Sequence, residues 1–91
     1  MYYTYVLLCR GTKVDSDFYI GSADDLRNRV KEHRAGEVST TRKFDDVDLV
    51  YYEACLNKTD ARKRELQLKT GFGRGYLKRR LASYLKDAGF V

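Results

Sequence analysis

From Tyr2 to Cys9 (YYTYVLLC) the chain is aromatic, β-branched and apolar on both faces of an extended backbone, the mark of a central strand. Residues 10–17 (RGTKVDSD) are polar turn material, and Phe18 to Gly21 reads as a short second strand, so the two predict an antiparallel hairpin. Ser22-Ala23-Asp24-Asp25 has the spacing of a helix start, with Ser22 as cap, Asp25 reaching back, and acids where the helix dipole favours negative charge. Leu26 and Val30 give the apolar face of a helix running to about Ala35, with Gly36 as its stop. A polar loop over 37–46 (EVSTTRKFDD) precedes a third strand, Val47 to Cys55 (VDLVYYEAC). A second helix starts at Asn57 to Asp60 and stops at Thr70-Gly71. Gly73-Arg74-Gly75 then leads into a third, whose buried stripe is Leu77, Leu81, Tyr84, Leu85 and Ala88. The order β-β-α-β-α-α predicts an α+β fold, a small three-stranded antiparallel sheet flanked by helices.

Composition narrows the class. A chain of 91 residues has room for one core, so residues 1–91 read as a single domain. With 43% apolar and 34% charged residues it belongs with folded rather than disordered chains. No apolar run approaches the roughly 20 residues that cross a bilayer, and no signal-peptide pattern is visible, so no membrane role and a cytoplasmic address are expected. Cys9 and Cys55 lie far apart with no companion Cys/His cluster, against a zinc site or a disulfide framework. The net charge of +5 is uneven: residues 1–60 carry 9 Lys/Arg against 11 Asp/Glu, whereas residues 61–91 carry 9 against 2. A basic half beside a slightly acidic one suits a polyanionic partner, although such runs also form solvated helix faces.

Several side chains could carry chemistry. Gly21 ends a strand just before a helix, where a missing side chain lets backbone approach a phosphate, or simply makes the turn. Arg29 and His33, four apart, project from one helix face: a planar fork suited to phosphate beside the only side chain expected to titrate near neutrality. The alternative is a solvated helix edge. Glu65 shares a helix face with Ala61 and Leu68, so an inward carboxylate needs a partner, either a metal or a cation such as Arg29. Magnesium commonly takes only one or two carboxylates and completes its octahedron with water and phosphate. Tyr5 and Tyr19 fall on adjacent strands, where a phenol can orient water or bind phosphate, or serve only packing. Gly71-Phe72-Gly73-Arg74-Gly75 lacks the ending of a P-loop and reads as a helix stop with a flexible link.

Taken in order, these residues resemble the GIY-YIG nuclease family, in particular small stand-alone bacterial members related to the N-terminal nuclease module of the repair protein UvrC. Tyr3-Thr4-Tyr5 stands in place of the first signature and Tyr19-Ile20-Gly21 is the second unaltered. Arg29 falls at the family's helix arginine, His33 where it has His or Tyr, and Glu65, in Lys63-Arg64-Glu65, at its metal-binding glutamate. Gly36 to Thr41 and Leu68 to Arg74 also look like the small members, so the resemblance covers nearly the whole chain. The first signature lacks its glycine and isoleucine, Arg34 stands where small relatives often carry Asn, and Lys69 is the nearest polar residue to the late asparagine of several nucleases.

The resemblance implies a metal-dependent endonuclease, a phosphodiester hydrolase acting on nucleic acid, with DNA expected and a structure-selective or repair-linked role. Glu65 would hold one Mg²⁺ or Mn²⁺, Arg29 would neutralise the transition state, and Tyr5, Tyr19 and His33 would surround the attacking water. Gly21, Thr41, Arg42, Lys43, Lys69, Arg74, Lys78, Arg79 and Arg80 are the candidates for nucleic-acid contacts. A stand-alone domain of this size would take sequence specificity from a protein partner. The competing readings are a non-catalytic nucleic-acid-binding module of the same fold and a protein-interaction domain using its third helix.

Overall fold

A computed structural model describes residues 1–90. Strand β1 (Tyr2–Arg10) lies at the centre of a three-stranded sheet of order β2-β1-β3, antiparallel throughout, between β2 (Asp17–Ala23) and β3 (Asp46–Cys55). The doubly apolar pattern of β1 is explained by this position, since it is buried on both faces. On one face Tyr5, Leu7, Cys9, Val30 and Val47 form a core under helix α1 (Leu26–Arg34). On the other, Val6 and Ile20 meet Leu68 of α2 (Lys58–Leu68) and Leu77 of α3 (Gly71–Arg80). A short helix α4 (Ala82–Asp87) follows. The α+β architecture and its element order are those expected, with antiparallel pairing at both junctions. Cys9 and Cys55 are free thiols.

Three local expectations need correction. Ser22 does not cap α1: β2 continues to Ala23, with Ser22 paired opposite Thr4, and Asp25 is the cap, its carboxylate accepting the Asn28 N–H at 3.0 Å. The hydroxyl of Ser22 is thereby released for another partner. The glycine-rich run is not a flexible link but the opening of α3, whose N-cap is Thr70. Gly73 is required because a Cβ there would sit 2.0 Å from the Leu68 carbonyl oxygen, so α2 and α3 meet backbone to backbone. Finally, the predicted third helix breaks at Leu81 (φ −108°, ψ 22°), and Tyr84, expected on its buried stripe, is exposed. Gly36, at φ 75°, follows the end of α1 as expected and turns the chain into the loop before β3.

Candidate active site

Strand alternation sends Tyr5, Tyr19 and Gly21 to the face covered by α1, and Ser22 to the face covered by α2. Gly21 lies directly opposite Tyr5 in the β1–β2 ladder, and a Cβ on it would fall 2.6 Å from the Tyr5 hydroxyl oxygen. The glycine therefore makes room for the phenol. From α1, His33 enters the same space: Tyr5 Oη is 2.8 Å from His33 Nε2, and the rings of Tyr19 and His33 meet edge-on with centroids 4.8 Å apart. Arg29, one turn earlier, is half-buried beside these phenols and pairs with Glu32 at 3.2 Å.

His33 is almost completely buried, and its second nitrogen is also occupied, with Nδ1 2.7 Å from Thr41 Oγ1. Thr41 was expected to face a nucleic-acid backbone; it is instead 1% exposed and turned inward onto the imidazole. Its hydroxyl proton has no other acceptor among the described residues, and a buried hydroxyl places its proton. Nδ1 therefore accepts from Thr41, leaving Nε2 protonated and donating to Tyr5. The proton of Tyr5 is left for the side away from the imidazole, and the Tyr19 ring lies beside it with centroids 6.2 Å apart. Burial pushes the Tyr5 phenol up to about 12, with Arg29 pulling against that rise and Tyr19 adding to it. Burial, then the charge of Arg29, lower the pKa of His33, so the imidazole is neutral at pH 7.

Glu65 lies on the α2 side of the sheet, on a separate element from the phenols. Its side chain is 5% exposed, with Oε1 accepting from Ser22 Oγ at 2.7 Å and Oε2 accepting from both Arg62 and Lys69 at 2.6 Å. The cation partners are these two and not Arg29. Burial alone would raise the carboxyl pKa, but donation from Lys69, Arg62 and Ser22 outweighs it and the net direction is down. The two halves are linked through the edge strand β2, which sends Tyr19 to one and Ser22 to the other. A cleft of 270 Å³ beside β2 is lined by Tyr19, Thr40, Lys69 and Arg74.

The remaining candidates are dispersed. Arg42 and Lys43 are exposed in the loop after α1, and Lys78, Arg79 and Arg80 are exposed in the last turn of α3. Arg74 is exposed and rests on Asp17 at 3.2 Å. Sequence reasoning missed Ser22 and Arg62 as partners of Glu65 and Thr41 as the partner of His33. For Arg62 the signal was available, because it lies three residues before Glu65 as Lys69 lies four after, within reach on a helix. For Ser22, strand parity would have served had β2 been carried past Gly21.

The pattern defining the GIY-YIG catalytic domain matches residues 1–80. The chain is 41% identical over 69 residues to a UPF0213 protein of Lacticaseibacillus paracasei, covering 75% of this chain and 73% of that protein. Over 70 residues it is 37% identical to a UPF0213 protein of Clostridium perfringens (76% of this chain, 71% of that one) and 34% identical to one of Staphylococcus saprophyticus (76% and 80%). No solved structure gives a significant match. The chain belongs to the GIY-YIG nuclease family. No helix among the described residues is long and apolar enough to cross a membrane.

Proposed function

We propose that this protein is an endonuclease that hydrolyses phosphodiester bonds of nucleic acid, with DNA as the substrate class. The observation carrying this reading is that one edge strand, β2, serves two unlike sets: its Tyr19 meets a buried phenol–imidazole pair beside Arg29, and its Ser22 donates to an ionised carboxylate ringed by cations. Packing explains neither, since a buried carboxylate with two cations and a sealed histidine cost more to assemble than apolar side chains of similar volume.

The donor chemistry at Glu65 fits a hard cation. Among the described residues no group of three or more His, Cys, Asp or Glu gathers, so such an ion would rest on the Glu65 carboxylate alone, with water and phosphate completing its shell. The Arg62 and Lys69 side chains now on Oε2 are 56% and 45% exposed, which leaves them free to swing toward a phosphate. When bound, Mg²⁺ or Mn²⁺ would polarise the scissile phosphate and stabilise the leaving oxygen.

The chain's own groups do the rest. Arg29 offers a fixed cation to the charge that develops on the phosphoryl oxygens, where preorganised charge counts most. Lys69 and Arg74 line the cleft and hold the backbone of the substrate. His33 is not the base, because both its nitrogens are committed within the protein. It donates to Tyr5 and fixes that buried phenol, whose raised pKa keeps it protonated, leaving Tyr19 to orient the attacking water as its proton passes to solvent. Incubation of supercoiled plasmid and branched DNA with Mg²⁺ or Mn²⁺ tests the reading. Nicking that is lost in both Arg29→Ala and Glu65→Gln supports it. Salt-sensitive binding without cleavage in either metal would replace it with a binding module.

A further inference from the structure

On a helix advancing about 100° per residue, Arg29 and His33 fall on one flank of the Leu26/Val30 stripe, and Arg27, Lys31 and Arg34 on the other. Between that second flank and β3 lies an open groove of 690 Å³. Leu26, Val30 and Leu49 give it an apolar lining. Tyr3 and Tyr52 also line it, their rings meeting edge to face with centroids 5.9 Å apart. Tyr52 is 54% exposed, a large aromatic surface on an edge strand that the core does not use.

The groove is charged as well as aromatic. Arg27 and Lys31 have no ion-pair partner among the described residues, and Arg34 engages only the Val47 carbonyl, at 3.4 Å. Asp24 and Asp25 border it too, the Asp25 carboxylate held as the α1 cap, and three cations against these two acids leave the lining net positive. A row of cations beside an exposed ring suits an unpaired nucleic-acid strand, whose bases can stack while its phosphates track the charges. A duplex keeps its bases stacked inside and offers no face to the ring.

We propose that this groove binds a single-stranded nucleic-acid segment, one base stacked on Tyr52 and the neighbouring phosphates held by Arg27, Lys31 and Arg34. The inference rests on the nuclease reading and deepens it. Tyr52 lies directly opposite Tyr5 in the β1–β3 ladder, so groove and phenol pocket flank the same helix, itself about 10 Å across. A strand held there extends toward the reactive pocket, so junctions between duplex and unpaired DNA become the preferred substrates.

The test is fluorescence anisotropy in EDTA at fixed salt, using labelled oligo-dT and a blunt hairpin duplex closed by a non-nucleotide linker. Wild type is compared with Tyr52→Ala, Tyr52→Phe and the pair Arg27→Gln/Lys31→Gln. Tyr52→Ala weakens oligo-dT binding about tenfold and leaves the hairpin unchanged, while Tyr52→Phe keeps both. The charge pair lowers the oligo-dT salt slope by about 1.4, as expected for two lost phosphate contacts on a single strand. Thermal melts check the fold, and the surface charge pair keeps the test decisive if Tyr52→Ala melts early. Equal effects of Tyr52→Ala on both ligands overturn the groove, as does an oligo-dT affinity that none of the variants moves, the result expected if a protein or second copy occupies it. Wild type that binds the hairpin in EDTA and cuts it once Mg²⁺ or Mn²⁺ is added, but ignores oligo-dT, sinks the groove alone. Wild type that binds neither in EDTA and cuts nothing with either metal sinks the nuclease reading with it.

Discussion

Thr41 Oγ1 lies 2.7 Å from His33 Nδ1, and both side chains are sealed from solvent. This contact gives the hydrogen bonds of the pocket a direction: Thr41 donates to the imidazole, and the imidazole donates to Tyr5. A loop residue that touches no substrate thereby sets which proton the phenol oxygen receives. In wild type, nitrogen-15 NMR should find His33 neutral with the proton on Nε2. Thr41→Val keeps the shape but leaves Nδ1 buried without a partner, a loss of about 1–3 kcal/mol. Thr41→Ser should restore both stability and tautomer. A wild-type imidazole protonated on Nδ1 would refute the assignment.

His33 is the only histidine in the chain, which makes its pH signature separable. Burial and then Arg29 hold its pKa below the ordinary value of about 6.5. As pH falls through that value the unfolded chain takes up a proton that the folded chain refuses, so stability decreases with falling pH. Glu53 and Glu65 have lowered pKa values, and their contributions are lost only as pH falls below the ordinary carboxyl range, about 4.3. The melting temperature should therefore fall between about pH 6.5 and 5 in wild type and stay nearly flat in His33→Gln. Equal slopes in the two proteins would count against it.

Gly21 faces a phenol that cannot retreat. Tyr5 is 1% exposed and hydrogen-bonded to His33, while a Cβ on Gly21 would fall 2.6 Å from its hydroxyl oxygen and 2.7 Å from Cζ. Gly21→Ala should cost about 1–3 kcal/mol in urea unfolding and remove plasmid nicking, because overpacking displaces the ring that the pocket is built around. An alanine variant with wild-type stability and activity would show that the ring has room.

Much of this was legible in the sequence, for identifiable reasons. The doubly apolar run Tyr2 to Cys9 reads as a central strand, and Leu26/Val30 with Arg29/His33 marks both the buried face of α1 and the flank that meets the phenols. What escaped depends on contacts between residues far apart in the chain. Ser22 reads locally as a helix cap, and only its pairing with Thr4 in the ladder sends its hydroxyl to Glu65, 43 residues on. Thr41 reads as a polar loop residue, and only the fold back of residues 37–45 onto α1 places it on His33. The glycine-rich run failed for a related reason: glycine signals flexibility in sequence, but Gly73 is there for a close helix contact.

That contact gives a paired prediction. At Gly73 a Cβ would meet the Leu68 backbone, with the carbonyl oxygen at 2.0 Å and the carbonyl carbon at 2.3 Å, and no side-chain motion relieves it. Gly73→Ala should cost about 3 kcal/mol or more. Two residues on, a Cβ at Gly75 would meet only the Arg79 Nη1 at 3.2 Å, the far end of a flexible side chain. Gly75→Ala should instead stabilise by about 0.5–1 kcal/mol, the helix-propensity difference. Urea midpoints shifting the same way in both variants would contradict the packing of α2 against α3.

Arg62 and Lys69 both occupy Oε2 of Glu65, the side chain that would hold a divalent cation under the proposed function. In the free protein they would therefore compete with such an ion, and their charges would repel it at close range. Lys69 also lines the cleft with Tyr19 and Arg74, so a phosphate entering there offers its ammonium a second place to go. Nucleic acid and cation should then bind with positive coupling, each improving the affinity for the other by the same factor. Electron paramagnetic resonance of free Mn²⁺ reads this without any cleavage. Arg62→Gln/Lys69→Gln should tighten Mn²⁺ about tenfold in the absence of nucleic acid, a difference of about 1.4 kcal/mol, and Glu65→Gln should abolish it. A phosphorothioate oligonucleotide should tighten Mn²⁺ binding in wild type more than in the double variant. If the double variant binds Mn²⁺ no better than wild type, the two cations are structural partners of Glu65 and not rivals of the metal.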